Sequence, residues 1–177
     1  MINRITAYLY AAAMTLLLFG VWLSLHPEEP KTVQTFERSL AGQLFTQRES
    51  AMEVFRAAGC TDKSLADLTV KWARVRRLPV RVIAAQVVVE SNCNPLAVSH
   101  DGSIGLMQVR VHVWRREFGL VRGGMFNADR SLEVGTEILR RHVVRLGLRR
   151  GIERYNGKGK RAKRYARRVL RLACQGA

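Results

Sequence analysis

The most restrictive feature of the sequence is an apolar run over residues 5–25 that contains no charged side chain. At about 1.5 Å per helical residue, a run of this length spans the roughly 30 Å hydrocarbon core of a bilayer. Arg4 precedes the run and Glu28 and Glu29 follow it, so the positive-inside tendency puts the N-terminus in the cytoplasm and the rest outside. We therefore expect residues 1–26 to form a signal anchor in the inner membrane, with a periplasmic domain behind it.

A cleavable signal peptide is the alternative interpretation of the same run. Its charged start, Asn3-Arg4, is short. However, the run is longer than the apolar core of a typical signal peptide, and no A-x-A-like cleavage site ends it. A cleaved, secreted form of the protein stays open beside the anchored one.

The remainder of the chain divides into a short linker and one domain. Pro27 and Pro30 interrupt any helix, because proline is not tolerated in a helix interior. The polar stretch after them completes a predicted linker over residues 27–47. The length of 177 residues suits one ordinary domain plus an appendage, and we place that domain at residues 48–177.

The domain is predicted to be mainly α-helical, because apolar residues recur at helical spacing in residues 51–58, 64–75, 131–146 and 165–172. Ser64 and Ser131 are candidate N-caps, and Leu65, Leu68, Trp72 and Val75 form one stripe. Pro79 fits the first turn of a further helix over residues 80–90. The valines at its end favour a strand, whereas its length and its proline favour a buried helix.

Glu90 is the candidate for chemistry, because it ends this apolar run. Apolar neighbours disfavour the anion, and the partial negative charge of a helix C-terminus disfavours it again. A carboxylic acid that keeps its proton near neutral pH is what a general acid requires. A polar residue that faces solvent at the end of a helix is the alternative interpretation of Glu90.

The residues around and beyond Glu90 form an ordered set of short motifs. They are Glu90-Ser91, Asn94-Pro95-Leu96-Ala97-Val98-Ser99, Gly102 through Gln108, Asn127 through Gly135, and Tyr155-Asn156-Gly157. Their order and spacing resemble the soluble lytic transglycosylase family, with its patterns E-S, N-P-x-A-x-S, G-x-x-G-L-M-Q and Y-N-G. The resemblance implies a lysozyme-like domain, of α+β type with minimal β structure, that cleaves peptidoglycan.

The resemblance also implies a role for each matching residue. Glu90 would be the only catalytic residue and would act first as an acid and then as a base. The residues implied in substrate binding are Ser99, Gln108, Tyr155, Met107 and Asn156. Tyr155 would approach the glutamate and orient it, whereas Met107 is equally well interpreted as a core residue under the cleft floor. No metal and no other cofactor is implied.

The implied reaction cleaves the β-1,4 bond between MurNAc and GlcNAc and forms 1,6-anhydro-MurNAc. A hydrolytic lysozyme of the same fold is one alternative, with Asp101, Asp129 or Glu133 as the second carboxylate that hydrolysis generally needs. A non-catalytic peptidoglycan-binding protein of a secretion or phage apparatus is another. Arg110, where the family has a methionine, and the basic residues after Gly157 depart from the family pattern and concern binding preference.

The net charge of +16 indicates an anionic partner or surface. Lys and Arg are concentrated in residues 140–171, where Glu153 is the only acid. Such a face is often only solvated, or it holds the enzyme on anionic cell-wall polymer or lipid. The expected partners are peptidoglycan strands, the membrane through the N-terminal helix, and envelope or secretion machinery. Nucleic acid is not expected, because no zinc-finger or RNA-recognition signature is present.

The chain has three cysteines without the spacing of metal ligands. In an exported protein one pair can be oxidised, and Cys60 with Cys93 is our preferred pair, since it would join a helix end to the loop after Glu90. Cys174 would then be free or paired between chains. An all-reduced chain is the alternative, because connectivity does not follow from sequence.

Overall fold

A computed structural model of the chain describes residues 31–175, and these residues are mainly helical. The helices are α1 (Lys31–Ala57), α2 (Lys63–Arg76), α3 (Val80–Ser91), α4 (Val111–Phe118), α5 (Ala128–Leu146), α6 (Leu148–Asn156) and α7 (Gly159–Cys174), with a 3-10 turn over Gly123–Phe126. Strands β1 (Ser103–Ile104) and β2 (Val109–Arg110) pair antiparallel, with Ser103 opposite Arg110. The predicted fold class, mainly α with minimal β structure, is confirmed for this part of the chain.

The N-terminal predictions fall largely on residues that the structure does not describe. The predicted anchor over residues 1–26 lies outside residues 31–175, and within that range no helix is long and apolar enough to cross a membrane. From residue 31 onward the predicted linker is helical, as the first part of α1. A compact unit begins at Gln43, close to the domain boundary that we placed at residue 48.

Helix α3 is the centre of this compact unit. Every residue from Val82 to Val88 is buried, and the helix packs against α2 and α7. Pro79 precedes its first turn as the N-cap, and Asn92 closes it in the left-handed conformation (φ 50°). Of the two interpretations of residues 80–90, the helix is therefore correct. A helix that is enclosed on nearly all sides buries its valines regardless of their modest helix propensity.

Two predicted caps are wrong by a few residues. Asp62, not Ser64, is the N-cap of α2, and its carboxylate accepts hydrogen bonds from the backbone N–H groups of Ser64 and Leu65. Asn127, not Ser131, caps α5. Both serines lie inside their helices, because an Asx residue a few positions upstream already satisfies the first backbone donors. Val75, which we placed on the apolar stripe of α2, is 56% exposed.

Gly135 allows α5 to pack closely against a loop near the centre of the unit. A Cβ atom at this position would lie 2.3 Å from the Cβ of Met107. Ser131, one turn earlier in α5, accepts a hydrogen bond from the backbone N–H of Met107 at 3.1 Å. Because the Met107 side chain is fully buried, the missing side chain of Gly135 is what lets the loop from Gly105 to Gln108 lie against α5.

The contact predicts that Gly135→Ala destabilises the fold by about 1–3 kcal/mol, the usual cost of overpacking a core. Chemical denaturation monitored by circular dichroism measures this loss. Gly123→Ala is the matched control, because nothing lies within 4 Å of a Cβ atom built there. Equal stability of the two variants would show that Met107 moves aside without cost.

Candidate active site

The structure places Glu90 at the rim of a cleft. Glu90 is the penultimate residue of α3, and its partly buried side chain lines a cavity of about 780 Å³. The helix ends directly after it, where the backbone N–H of Asn92 bonds to the carbonyl of Val88. A disulfide joins Cys93 to Cys60, so our preferred cysteine pair is present, while Cys174 is free and exposed. The end of the helix that carries Glu90 is thus covalently tied to the segment after α1.

The environment of Glu90 favours its protonated form. Burial raises the pKa of its carboxyl group from 4.5 to about 7, against the opposing effects of a hydrogen bond from Tyr165 and of the Arg110 charge. The negative charge of Asp101 adds to the increase in pKa. The expectation that Glu90 retains a proton near neutral pH therefore agrees with its surroundings, and desolvation is the main cause.

The tyrosine that contacts Glu90 is Tyr165, and not the predicted Tyr155. The Tyr165 hydroxyl group donates a hydrogen bond to Oε1 of Glu90 at 2.6 Å. Burial raises the pKa of Tyr165 well above its ordinary value, so the phenol remains a donor throughout the physiological range. Helix α7 brings it there by packing against α3. From the sequence, Tyr165 is only the first residue of the helical apolar spacing over residues 165–172.

Tyr155 also lines the cleft, but its hydroxyl group is committed elsewhere. It donates a hydrogen bond to the backbone carbonyl of Met107 at 2.7 Å. This bond ties the C-terminal turn of α6 to the loop that follows β1. Tyr155 thereby positions the cleft wall, and the contact with Glu90 that we expected of it is made by Tyr165.

Three polar residues, Ser99, Asp101 and Ser103, line a further part of the cleft. The side-chain hydroxyl groups of Ser99 and Ser103 both donate to Oδ1 of Asp101, and the backbone N–H of Ser103 donates to the Ser99 hydroxyl oxygen at 3.0 Å. These hydrogen bonds lower the pKa of Asp101 to about 2, and the bond from Ser99 has the largest effect. The second carboxylate oxygen lies 3.5 Å from Nε of Arg110. Ser99 lies in the cleft, as the resemblance implied, but its hydroxyl proton is engaged by Asp101.

Gln108 lines the same cleft in a left-handed backbone conformation (φ 46°). Its side-chain amide donates to the carbonyls of Gly105 and Ala97 at 3.0 and 3.2 Å. Because both partners are acceptors, the amide orientation is fixed, and Oε1 accepts no hydrogen bond from the residues that the structure describes. Gln108 can therefore brace the loop with its nitrogen and accept a hydrogen bond from a ligand with its oxygen.

Met107 is the one proposed substrate-binding residue that the structure removes from the cleft. Its side chain is fully buried against Gly135, so it cannot touch a ligand, and the alternative interpretation as a core residue is correct. Asn156 ends α6 and lines the cavity. The other two candidates for a second catalytic carboxylate, Asp129 and Glu133, do not line the cleft. Asp129 accepts hydrogen bonds from Lys71 and Trp72. Glu133 forms a salt bridge with Arg130 at 2.5 Å.

Helix α4 contributes cleft residues that the sequence analysis missed. Trp114 and Val113 line the cavity, and the Trp114 ring packs against Phe118 at a centroid distance of 5.8 Å. The available signal was the spacing of Val111, Trp114 and Phe118, which is the i, i+3, i+7 pattern of one helix face. An aromatic ring at this position offers a flat apolar surface beside the polar wall of Asp101.

Comparison with known proteins agrees with the resemblance. The family model described as the transglycosylase SLT domain matches residues 67–172, more than half of the chain. The matched range runs from α2 to α7 and contains Glu90, Tyr165 and every residue that lines the cleft. No curated protein sequence matches the chain.

The raised pKa of Glu90 predicts a specific pH dependence of stability. Its pKa is higher in the folded state than in the unfolded state, so the contribution of Glu90 is lost as the pH rises from 4.5 toward 7. The Glu90→Gln variant cannot titrate at this position and therefore does not lose this stability. We expect the difference in free energy of unfolding between the variant and the wild type to shift by about 2–3 kcal/mol in favour of the variant between pH 5 and pH 8. Denaturant unfolding across this range is the measurement.

Glu137→Gln serves as the control for this experiment. Hydrogen bonds from Arg140 lower the pKa of Glu137 to about 2, so its stabilising contribution is complete above pH 5 and the effect of the variant should not vary from pH 5 to pH 8. A pH-independent effect of Glu90→Gln would mean that Glu90 titrates normally in the fold.

Proposed function

The chain belongs to the transglycosylase SLT family, and from this premise we propose that it is a peptidoglycan lytic transglycosylase in which Glu90 is both general acid and general base. Lytic transglycosylase-type action on peptidoglycan goes with family membership. The single observation that carries the finer assignment is the Glu90 carboxyl group, which lines the cleft with a pKa of about 7.

In the first step Glu90 acts as an acid. A group with a pKa of about 7 is present in both protonation states at neutral pH, which suits proton transfer in either direction. Protonated Glu90 donates its proton to the glycosidic oxygen between MurNAc and GlcNAc. The C1–O bond of MurNAc breaks, the electron pair goes to the oxygen, and the GlcNAc end leaves with a new hydroxyl group.

In the second step the same carboxylate acts as a base. It removes the proton of the MurNAc C6 hydroxyl group while that oxygen attacks C1, so a C1–O6 bond forms and Glu90 regains its proton. No water is consumed, and the product ends in 1,6-anhydro-MurNAc. The hydrogen bond from Tyr165 to Oε1 of Glu90 stabilises the carboxylate between the two steps.

The surroundings of Asp101 weigh against its use as a base that activates water. A hydrolytic lysozyme generally needs a second carboxylate to activate water or to attack the sugar, and Asp101 lines the same cavity as Glu90. That position makes hydrolysis the second candidate function. However, Asp101 accepts hydrogen bonds from two serines and has a pKa of about 2, so it is a weak base for the activation of water. An ionised carboxylate still suits the retaining form of hydrolysis, and the products of cleavage distinguish that form from ring closure.

The remaining cleft residues fit a saccharide substrate. Oε1 of Gln108 is an available acceptor for a sugar hydroxyl or N-acetyl N–H group, and Asn156 lies on the α6 side of the cavity. Trp114 supplies apolar surface for a sugar face. A signal anchor over residues 1–26 would hold this cleft in the periplasm beside the peptidoglycan, and cleavage after the same run would release it.

The proposal predicts that the full-length protein releases fragments with anhydro ends from purified peptidoglycan, as measured by mass spectrometry. Glu90→Gln should lower the rate by at least about 10²-fold, the usual contribution of a general acid, while binding to the wall persists. Asp101→Asn is the matched control, and its products should keep anhydro ends.

Three results would contradict the proposal. Wild-type cleavage rates in Glu90→Gln would exclude Glu90 as the acid. If the wild type released fragments with reducing ends and Asp101→Asn did not, the hydrolytic alternative would be established. Wall binding without any cleavage by the wild type would indicate the non-catalytic alternative.

A further inference from the structure

A second cavity, with a volume of about 450 Å³, also includes Glu90 in its lining. Helix α7 provides one of its walls with Arg161, Arg164 and Arg168. Arg161 and Asn156 line both cavities. The space on the α7 side therefore adjoins the first cleft at the catalytic carboxyl group, and a substrate that extends past Glu90 would enter a strongly cationic environment.

The three arginines present their charges together. Their spacing of i, i+3 and i+7 puts them on one face of α7. None of them forms a salt bridge within residues 31–175, although arginines elsewhere in that range, such as Arg81 and Arg140, are paired with carboxylates. Unpaired guanidinium groups that line a cavity are available for an anionic ligand, and their planar donors suit the two oxygens of a carboxylate.

Peptidoglycan carries its negative charge in a matching position. The sugar rings of MurNAc and GlcNAc are uncharged, so anionic groups belong to the substituent on the muramyl lactyl ether. This substituent ends either in a peptide stem with free carboxylates or, where the stem has been removed, in the lactyl carboxylate. If Glu90 protonates the bond at a MurNAc residue, that substituent projects from a sugar next to the catalytic group.

We propose that Arg161, Arg164 and Arg168 form a subsite that binds the carboxylates of the peptide stem on a muramyl residue next to the scissile bond. This inference rests on the proposed function. It assigns to three members of the basic segment over residues 140–171 a specific task that the other members do not share. Lys160, Lys163 and Arg167 lie on the same helix and are exposed, and none of them lines either cavity.

The test compares two triple variants of the full chain in detergent, both in a Glu90→Gln background that prevents turnover. The cavity variant is R161Q/R164Q/R168Q, and the control is K160Q/K163Q/R167Q, which removes the same charge from the same helix. All six positions are exposed, so the substitutions leave the core intact, and circular dichroism verifies the helix content. Equilibrium binding is measured with soluble peptidoglycan fragments that carry intact stems.

We expect the cavity variant to bind these fragments at least about tenfold more weakly than the parent, as for the loss of charge-assisted hydrogen bonds. The control should lie within about twofold of the parent, because its charges are solvated and screened. Fragments with amidated stem carboxylates should abolish the difference between cavity variant and control. Fragments without stems, which keep only the lactyl carboxylate, should show a smaller difference.

Equal loss of affinity in both triple variants would overturn the subsite, since it would indicate bulk charge attraction. Loss of affinity for a single-stranded oligonucleotide in the cavity variant, with unchanged affinity for the fragments, would assign the arginines to nucleic acid instead. If the difference in affinity between the cavity variant and the control were as large for fragments without stems as for fragments with stems, the arginines would be assigned to the lactyl carboxylate. Because binding is measured without turnover, these results are independent of whether the wild type produces anhydro ends.

Discussion

The burial of helix α3 is the constraint on which the rest of the site depends. Residues Val82 to Val88 are enclosed, so the helix cannot rotate or slide without exposing apolar surface, and Glu90 is held at the point where the helix reaches the cleft. The disulfide from Cys93 to Cys60 fixes the chain just beyond it. A carboxyl group in such a position is desolvated by its own scaffold, and the resulting pKa of about 7 is the property that the proposed chemistry needs.

Groups on two sides of Glu90 act on its carboxyl group in opposite directions. On the α7 side Tyr165 donates to the carboxylate, and this bond favours the anion. On the loop side Asp101 is held ionised by Ser99 and Ser103, and its charge favours the protonated form. Glu90 therefore has support in both protonation states, as expected of one group that must give and then take a proton. In the proposed mechanism, a single residue in this balance would replace the two carboxylates of most glycosidases.

Sequence reasoning recovered the features that depend on local order. The length of the apolar run before Glu90 and the position of Pro79 favoured a buried helix that ends in an acid, beside the alternatives of a strand and of a glutamate that faces solvent. The pairing of Cys60 with Cys93 was the preferred choice from sequence beside an all-reduced chain, and the structure contains this disulfide. The turn from Gly105 to Gln108 contacts Gly135 through Met107, so two of the motifs that carried the resemblance pack against each other.

What the sequence did not provide depends on packing between distant helices. The resemblance pointed to Tyr155 as the partner of Glu90, and only the packing of α7 on α3 selects Tyr165. Likewise, the cavity that contains Arg164 and Arg168 exists because α7 lies beside Glu90. A run of basic residues on a helix does not by itself predict a binding cavity. The two N-caps were predicted at the wrong residues because serine, aspartate and asparagine can all accept hydrogen bonds from the same backbone donors, and propensity alone does not separate them.

The central claim, that burial keeps Glu90 protonated near neutral pH, is tested most directly by a carbon-13 NMR titration of its side-chain carboxyl group. The Glu90→Gln spectrum identifies the resonance. The account predicts a titration midpoint near 7, clearly separate from those of exposed glutamates. A midpoint near 4.5, the ordinary value for glutamate, would show that the fold does not prepare this residue to act as an acid.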